Sequence, residues 1–519
     1  MDPVPYTVPE QRVLIPSHVR RSEEMSYVLR ELGLYLDCQA GLPRDCMLVA
    51  PATINDVRIP IWLPACRGAY PMTANNFCTD YDALTCESNV VTGAVAKDMI
   101  RSHGGLVATL RMSPGLPRMP VACGMIVFSD GVLDLRTMRF QELDEYEFEE
   151  DHCASRYFPF PFDRSLLTNM ATVPELERII SSQAWSPQQA LCFKAFLGRL
   201  AFPLGLLDRW DCAAVVVGQA GAGKTTLVEA ALLAFHNAGD IVSPGSRPTP
   251  GFETGLLAKA RVVHFSDVDA SFVSKWDKDT LKKIITAEPI MINRKYEQPY
   301  MLHWVFPVIF TSNTKIAWRD DGMERRCVYF PFDNKPTDRD TTLKSKLVEP
   351  SNQVRFICHV VRSYHEVRAQ VGERIFPDAA PEVYPEHGSI QQDVLMNNDP
   401  VLAYFHSTYV PCDDEFHFLG KRAVEARFVE KTRTDPGMSG CTFAEFITTV
   451  KNLGYVYCPQ LKVKGSAFFK KLRLLGKETG GMGQGYFCGF KEMAQDDMRD
   501  DPAPAGCLTS EYQQSGFGS

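Results

Sequence analysis

The stretch from Ala213 to Thr226 reads AAVVVGQAGAGKTT, with the spacing G-x-x-x-x-G-K-T from Gly218 to Thr225. Three glycines (Gly218, Gly221, Gly223) let the backbone curl until successive N–H groups point inward, the arrangement that cradles phosphate oxygens. A helix starting at the loop would add the positive end of its dipole. Lys224 would reach the β- and γ-phosphates of a nucleoside triphosphate, and the Thr225 hydroxyl would ligate Mg²⁺. Gly218, Gln219, Ala220, Gly221, Ala222, Gly223, Lys224, Thr225 and Thr226 are therefore the candidate nucleotide-binding residues, with ATP and Mg²⁺ the expected ligands. A bare glycine-rich turn between strand and helix explains the glycines but leaves Lys224 and Thr225 unaccounted for.

Three further stretches carry compatible chemistry. Arg261 to Asp269 (RVVHFSDVD) is an apolar strand ending in carboxylates. One of Asp267 and Asp269 would hold the ion and the other would orient the attacking water. Alternation along a strand predicts that both project to one side, although a surface turn after a core strand would read the same way. Leu302 to Asn313 (LHWVFPVIFTSN) places Asn313 at the carboxyl end of a buried strand, where an amide can bond both γ-phosphate and water; an asparagine closing a turn is the plainer alternative. Arg325 and Arg326, in GMERRCVYFPF, offer a guanidinium for charge developing in phosphoryl transfer, often supplied across a subunit interface. A solvated or salt-bridged loop is the plainer reading of that pair.

The elements that must position these groups are legible in part. Ala213 to Val217 reads as a buried strand and Lys224 to Ala234 as a helix. Upstream, Leu166 to Leu207 reads as a helical collar, with Ser186-Pro187 opening one helix. Met125 to Phe148 begins as a hairpin, MIVF and VLDL flanking an Asp130-Gly131 turn. The run FPFPF, Phe158 to Phe162, reads as an extended linker. Helices are expected within Thr342 to Val371, and the prolines of Phe376 to Glu386 predict another linker.

Bulk properties narrow the class. The chain has 519 residues, 45% of them hydrophobic and 23% charged, and a formal net charge of −8. That length predicts several domains, and the acidic balance leaves any nucleic-acid contact to local patches. The 16 cysteines form no C-x-x-C pair. With no amino-terminal run that reads as a signal peptide, reduced thiols in an intracellular protein are expected. No apolar run approaches the roughly 20 residues of a membrane span.

Taken in order, these motifs resemble the superfamily 3 helicases, an AAA+-type motor group of viral and plasmid replication proteins. The resemblance covers the phosphate loop, the Val262 to Asp269 strand, Asn313 as sensor and Arg325 or Arg326 as arginine finger. The run FSDGVLDLRT is similar to the "NGVLDL-x-TG" signature of the poxvirus-type primase–helicase branch, with Asp130 in place of Asn. Leu281 to Tyr296 (LKKIITAEPIMINRKY) resembles that branch's pre-sensor hairpin, keeping Lys282, Thr286, Arg294 and Lys295 and departing at Ala287 and Glu288. The branch usually carries Glu at the Asp267 position. The resemblance implies an α/β fold: an AAA+-type P-loop NTPase core with a helical collar, a mixed N-terminal region and a C-terminal winged-helix-like domain. It also implies a ring, expected as a hexamer, that pulls single-stranded or forked DNA past Arg294 and Lys295 at a viral replication site in host cytoplasm or nucleus, alongside polymerase or primase partners and without a membrane.

The expected organisation is an N-terminal domain over 1–115, a β-rich segment over 116–165, a collar over 166–210, the motor over 211–340, a lid and linker over 341–395, a winged-helix-like domain over 396–491 and a disordered tail over 492–519. Lys470, Lys471 and Arg473 lie on the expected recognition helix, Gly465 to Leu475, and are the candidate DNA contacts there; the wet face of an amphipathic helix is the alternative. In the N-terminal region, Cys38, Cys46, Cys66, Cys78 and Cys86 match no zinc-site spacing. Asp80, Asp82, Ser102 and His103 loosely resemble primase metal ligands, which keeps a bifunctional primase–helicase open, and solvated loop carboxylates are the alternative. Other rivals are a packaging or remodelling motor, and a DNA-binding scaffold whose ATP site only orders assembly.

Overall fold

The computed structural model describes residues 12–493 except 17–18, 20–23, 38–46, 68–69, 74–75, 78–80, 86–118, 169–171, 245–252, 270–271, 273–274, 294–298, 316–317, 319, 337–339, 413–416, 436–437 and 459–485. The fold is mixed α/β. The chain divides into two units, Met1–Thr314 with Trp318–Gly388, and Lys315–Ala317 with Ser389–Ser519.

The first unit begins with helix α1 (Glu24–Glu31) and an antiparallel sheet of β1 (Tyr35–Asp37), β2 (Met47–Ile54) and β3 (Val57–Pro64). A second sheet follows: β4 (Met125–Phe128), β5 (Gly131–Asp134), β6 (Arg139–Glu142) and β7 (Ala154–Phe158), ordered β6-β5-β4-β7. Phe128 pairs with Gly131, so the hairpin turn is Ser129-Asp130 and not Asp130-Gly131. The Asp130 side chain instead accepts from the Phe162 amide at 2.9 Å. That bond explains why Phe158 to Phe162 is not the expected linker. The prolines end the ladder, yet alternation keeps the rings on one side. Phe158 stacks on Phe128 at 5.5 Å and Phe162 on Phe140 at 5.0 Å.

Helices α2 (Pro174–Ser182) and α3 (Pro187–Arg199) occupy the expected collar, and Ser186 caps α3 by accepting from the Gln189 amide. The central sheet is parallel throughout. It contains β8 (Ala213–Gly218), followed in the chain by helix α4 (Lys224–Phe235), β9 (Ile241–Val242) and β10 (Val262–Phe265). After helix α5 (Lys278–Ile285) and the antiparallel hairpin β11 (Pro289–Ile292) and β12 (Tyr300–His303), the chain returns to the sheet as β13 (Val308–Ser312). A short helix α6 (Asp321–Glu324) precedes the last strand, β14 (Cys327–Phe332). The order is β9-β10-β13-β8-β14. The chain leaves β8 for the far edge, returns strand by strand, then crosses β8 to add β14. β8 is thus where the winding reverses, and the crevice at its carboxyl end is where parallel sheets hold ligands. Every residue of β8 is buried, as a strand covered on both faces requires.

Two helices follow: α7 (Leu343–Leu347) and α8 (Pro350–Val371), the latter packed on α3 and α4. Beneath them Arg199 forms a buried pair with Asp208, 2.8 Å apart, and donates to the Cys212 carbonyl at 2.6 Å, which ties the start of β8 to α3. The expected linker at Phe376 to Glu386 is instead helix α9 (Phe376–Val383). Pro377 sits in its first turn, where no amide donor is needed. Phe376, packed at 5.0 Å against both Phe196 and Trp210, supplies burial that outweighs the interior Pro381.

The second unit contains α10 (Pro400–Thr408), β15 (Tyr409–Pro411), β16 (Phe418–Gly420), α11 (Lys421–Thr434) and α12 (Phe443–Asn452). Strands β17 (Val456–Cys458), β18 (Tyr486–Cys488) and β19 (Phe490–Glu492) complete it around a core that includes Phe405, Phe446 and Phe487. β17 and β18 pair antiparallel, and Lys470, Lys471 and Arg473 lie outside the described residues. The helix that directly precedes β17 is α12, started by a capping box of Thr442 and Glu445. Asp80, Ser102, His103, Cys38, Cys46, Cys78 and Cys86 are also outside the described residues. Among the described residues, no helix is long and apolar enough to cross a membrane.

Burial pushes two histidines of the first unit, His236 and His264, down to about 4 from an ordinary 6.5. Their stabilising effect is complete above pH 6.5 and is lost as pH falls toward 4, because the unfolded chain takes up the proton first. We expect each to withdraw up to about 3 kcal/mol over that window. Unfolding midpoints measured from pH 7 to pH 4 should show a fall that is shallower in His264→Gln.

Candidate functional site

The loop after β8 is shaped by its neighbours. Gly218 has φ +135°, and a Cβ there would lie 2.2 Å from the Phe332 carbonyl oxygen of β14. Gly223 starts α4 at φ +100°, and its Cβ would meet Ile179 of α2 at 2.8 Å. No side chain caps α4. The amides of its first turn and the helix dipole therefore favour an anion at that end. Gln219, Ala220, Gly221 and Thr225 are exposed there, Thr226 is partly buried, and Ala222 is buried.

Lys224 is only 5% exposed. Its Nζ donates to the Gly218 carbonyl at 2.7 Å, the Gln219 carbonyl at 2.9 Å and Asn313 Oδ1 at 3.0 Å. Burial lowers its pKa and Asp267 opposes the shift. All three neighbours are acceptors, a set that suits the protonated ammonium with its three donors. Asn313 follows β13 directly. With Oδ1 turned to Lys224, its Nδ2 donates to Asp267 Oδ1 at 3.1 Å. Asp267 lies past the end of β10 with φ +50°. Its loop is pinned to β13, because the Val268 amide donates to the Thr311 carbonyl at 2.9 Å and Ser312 Oγ donates to the Val268 carbonyl at 2.6 Å. A carboxylate, an amide and an ammonium thus stand in line across the carboxyl ends of β10, β13 and β8. Such a line can fix a polyanion and polarise water beside it.

Asp269 does not join them. The ladder stops at Phe265, so the period-two expectation fails, and Asp269 Oδ1 instead accepts from the Phe272 amide at 2.9 Å, capping the next turn. Arg325 and Arg326 precede β14, at the sheet edge opposite the loop, where the Arg326 carbonyl accepts from the Ala213 amide. The six residues of β14 separate the pair from the loop beside Phe332, so the pair stands roughly 20 Å from its own loop. Arg325 is exposed, whereas Arg326 Nη1 donates to the Gly322 carbonyl at 2.7 Å. Arg294 and Lys295 follow β11 in sequence and lie outside the described residues.

Three features had no sequence signal. Buried Gln183, just after α2, donates to the Asn334 carbonyl at 2.9 Å and the Ala222 carbonyl at 3.4 Å, bracing the loop from behind. Buried His264 bonds Thr311 Oγ1 across β10 and β13 at 2.9 Å. Beside the loop a cleft of about 300 Å³ opens between α2 and α7, lined by Arg178, Ile179, Gly223, Thr226, Leu343 and Lys344 among others. Thr225 and Asp267 supply a hydroxyl and a carboxylate, hard oxygen donors of the kind Mg²⁺ takes.

Residues 216–326 match the model of a family of unknown function, DUF5906. That span runs from within β8 to Arg326 and includes every residue of the line just described. No curated protein matches the sequence at a significant level. Among solved structures, the apo C-terminal region of NrS-1 (residues 305–718) is similar at 14% identity and a TM-score of 0.40, with 87% of this chain and 90% of that one covered. An A-form apo structure of the NrS-1 C-terminal region is similar at 16% identity and a TM-score of 0.33, covering 58% and 67%.

Gly223→Ala tests that geometry without any ligand. A left-handed non-glycine residue costs about 1–2 kcal/mol, and the contact with Ile179 adds to it. The unfolding midpoint should drop, and the drop should be smaller when Gly223→Ala is made in an Ile179→Ala background, where the backbone strain remains but the contact does not.

Proposed function

We propose that this chain is an ATP-dependent replicative DNA helicase of superfamily 3, of the primase–helicase branch, working as a ring on single-stranded DNA in viral or plasmid replication. The observation that carries the reading is the Lys224–Asn313–Asp267 line over a loop whose helix start no side chain caps. In this reading the loop amides and Lys224 hold the β- and γ-phosphates. Mg²⁺, held by Thr225 and Asp267, would neutralise charge on those phosphates. Asn313 turns its amide toward the lytic water, and Asp267 accepts from that amide and fixes its orientation. The base and ribose fit the cleft between Ile179 and Leu343. The roughly 20 Å from Arg325 to its own loop favours its action on a neighbour's nucleotide. Arg325 takes the finger role, because Arg326 is engaged with Gly322. Arg294 and Lys295 would contact the DNA backbone, with Lys470, Lys471 and Arg473 as further contacts.

A second reading keeps ATP binding but gives it an assembly role with slow turnover. The capping bond of Asp269 favours it, because Asp267 is then the one carboxylate of the candidate pair left for both ion and water.

ATP hydrolysis by the purified chain with and without single-stranded DNA, beside Lys224→Ala, separates the two. DNA-stimulated turnover that Lys224→Ala abolishes is expected. Turnover indifferent to DNA would point to a remodelling motor, and bound ATP without turnover to the assembly role. Arg325→Ala should lower stimulated kcat by about 10³-fold with unchanged unfolding, whereas Arg326→Ala should lower the unfolding midpoint.

A further inference from the structure

Helix α5 runs directly into β11, the first strand of the hairpin, and its end is locked to that strand. Thr286 Oγ1 donates to the Lys282 carbonyl at 3.0 Å and to Glu288 Oε1 at 2.8 Å, while the Glu288 amide donates to the Lys283 carbonyl at 2.9 Å. From the same helix Lys282 reaches sideways to a different element. Its Nζ lies 3.0 Å from Asp320 Oδ1 and 3.2 Å from Oδ2. Asp320 is the residue that organises α6. Its Oδ1 accepts from the Met323 amide at 2.9 Å, and its carbonyl accepts from the amides of Met323 and Glu324. The Lys282 chain also packs on this turn, for a Cβ added to Gly322 would lie 3.0 Å from Lys282 Cε. Arg326 then closes the turn by donating to Gly322. Arg325 is held between that bond and the Asp320 cap. The bond to Asp320 keeps the Lys282 pKa above its ordinary value, with Asp279 adding to it.

We infer that the Lys282–Asp320 pair is a positioning contact that makes the arginine turn move with the hairpin. Load on the hairpin shifts α5, α5 carries α6, and Arg325 comes into register with the neighbouring subunit's nucleotide when DNA is engaged. The inference rests on the helicase reading above. An ion pair whose two side chains keep a quarter of their surface in solvent contributes little to stability, so its loss leaves the fold intact. Geometry is another matter, since a misplacement of about 1 Å in a catalytic group costs roughly 100-fold in rate.

The test uses the full chain and two neutral variants that keep shape. Lys282→Met retains the aliphatic chain, and Asp320→Asn retains the Oδ1 acceptor for the Met323 amide. In both, kcat for ATP with single-stranded DNA should fall by about ten-fold or more. KM for ATP, DNA affinity, DNA-free turnover and the unfolding midpoint should stay at wild-type values, and Lys282→Arg should keep the stimulation. Wild-type stimulation in Lys282→Met overturns the inference. So does a proportional loss of DNA-free and DNA-stimulated turnover, which marks a merely structural pair. If wild-type turnover is not stimulated by DNA, the helicase reading itself fails and this inference fails with it.

Discussion

A buried ammonium needs oxygen on every side that water would have occupied, and Lys224 meets that demand with three. Two of them are carbonyls of its own loop, at Gly218 and Gln219, and the third is the Asn313 side chain. The third forces the ends of β8 and β13 to be neighbours, although 89 residues separate the two side chains. Asn313 in turn fixes where Asp267 must stand, so β10 has to lie next to β13. The order of the three central strands is the order of the three side chains at their ends. The Gln183 brace packs behind the loop, and the Arg199–Asp208 pair fixes the opposite, amino end of β8.

The parts of this site readable in the sequence were those where a local rule and a tertiary demand coincide. The loop from Gly218 to Thr226 combines backbone freedom, a helix start and a cation in adjacent positions, so spacing alone locates it. Asn313 was readable because strand ends in parallel sheets face one edge. Asp269 was misplaced because alternation presumes a ladder, and β10 stops at Phe265. Nothing local announces that stop, which follows from Asp267 turning to φ +50°. The proline-rich stretches misled for a related reason. Proline removes a donor wherever it stands, but FPFPF and α9 are held by rings and by bonds from distant residues. Gln183 and His264 were invisible, because a buried amide or imidazole carries no periodicity.

The N-terminal sheets are attached to the central sheet at two of its working elements. Arg156 of β7 donates to Asn237, just past α4, and to Gln353 of α8. Arg261, immediately before β10, lies between Asp37 of β1 at 3.8 Å and Asp240 at 3.6 Å. The far end of the loop helix and the near end of the Asp267 strand are thus both tethered to the β-rich region. Motion at the loop edge of the sheet has a mechanical path to that region through two guanidinium groups.

In the proposed reading, the separation of Arg325 from its own loop constrains how subunits could be arranged. The two surfaces that would meet across an interface lie on opposite edges of one sheet, so a head-to-tail repeat can join one edge of each subunit to the other edge of the next. Such a repeat closes when its rotation divides a full circle and otherwise continues as a filament. The number of subunits in such a repeat would be a property of an angle between edges, open to change by any residue that tilts α6 against β8, with the surroundings of Lys224 left as they are.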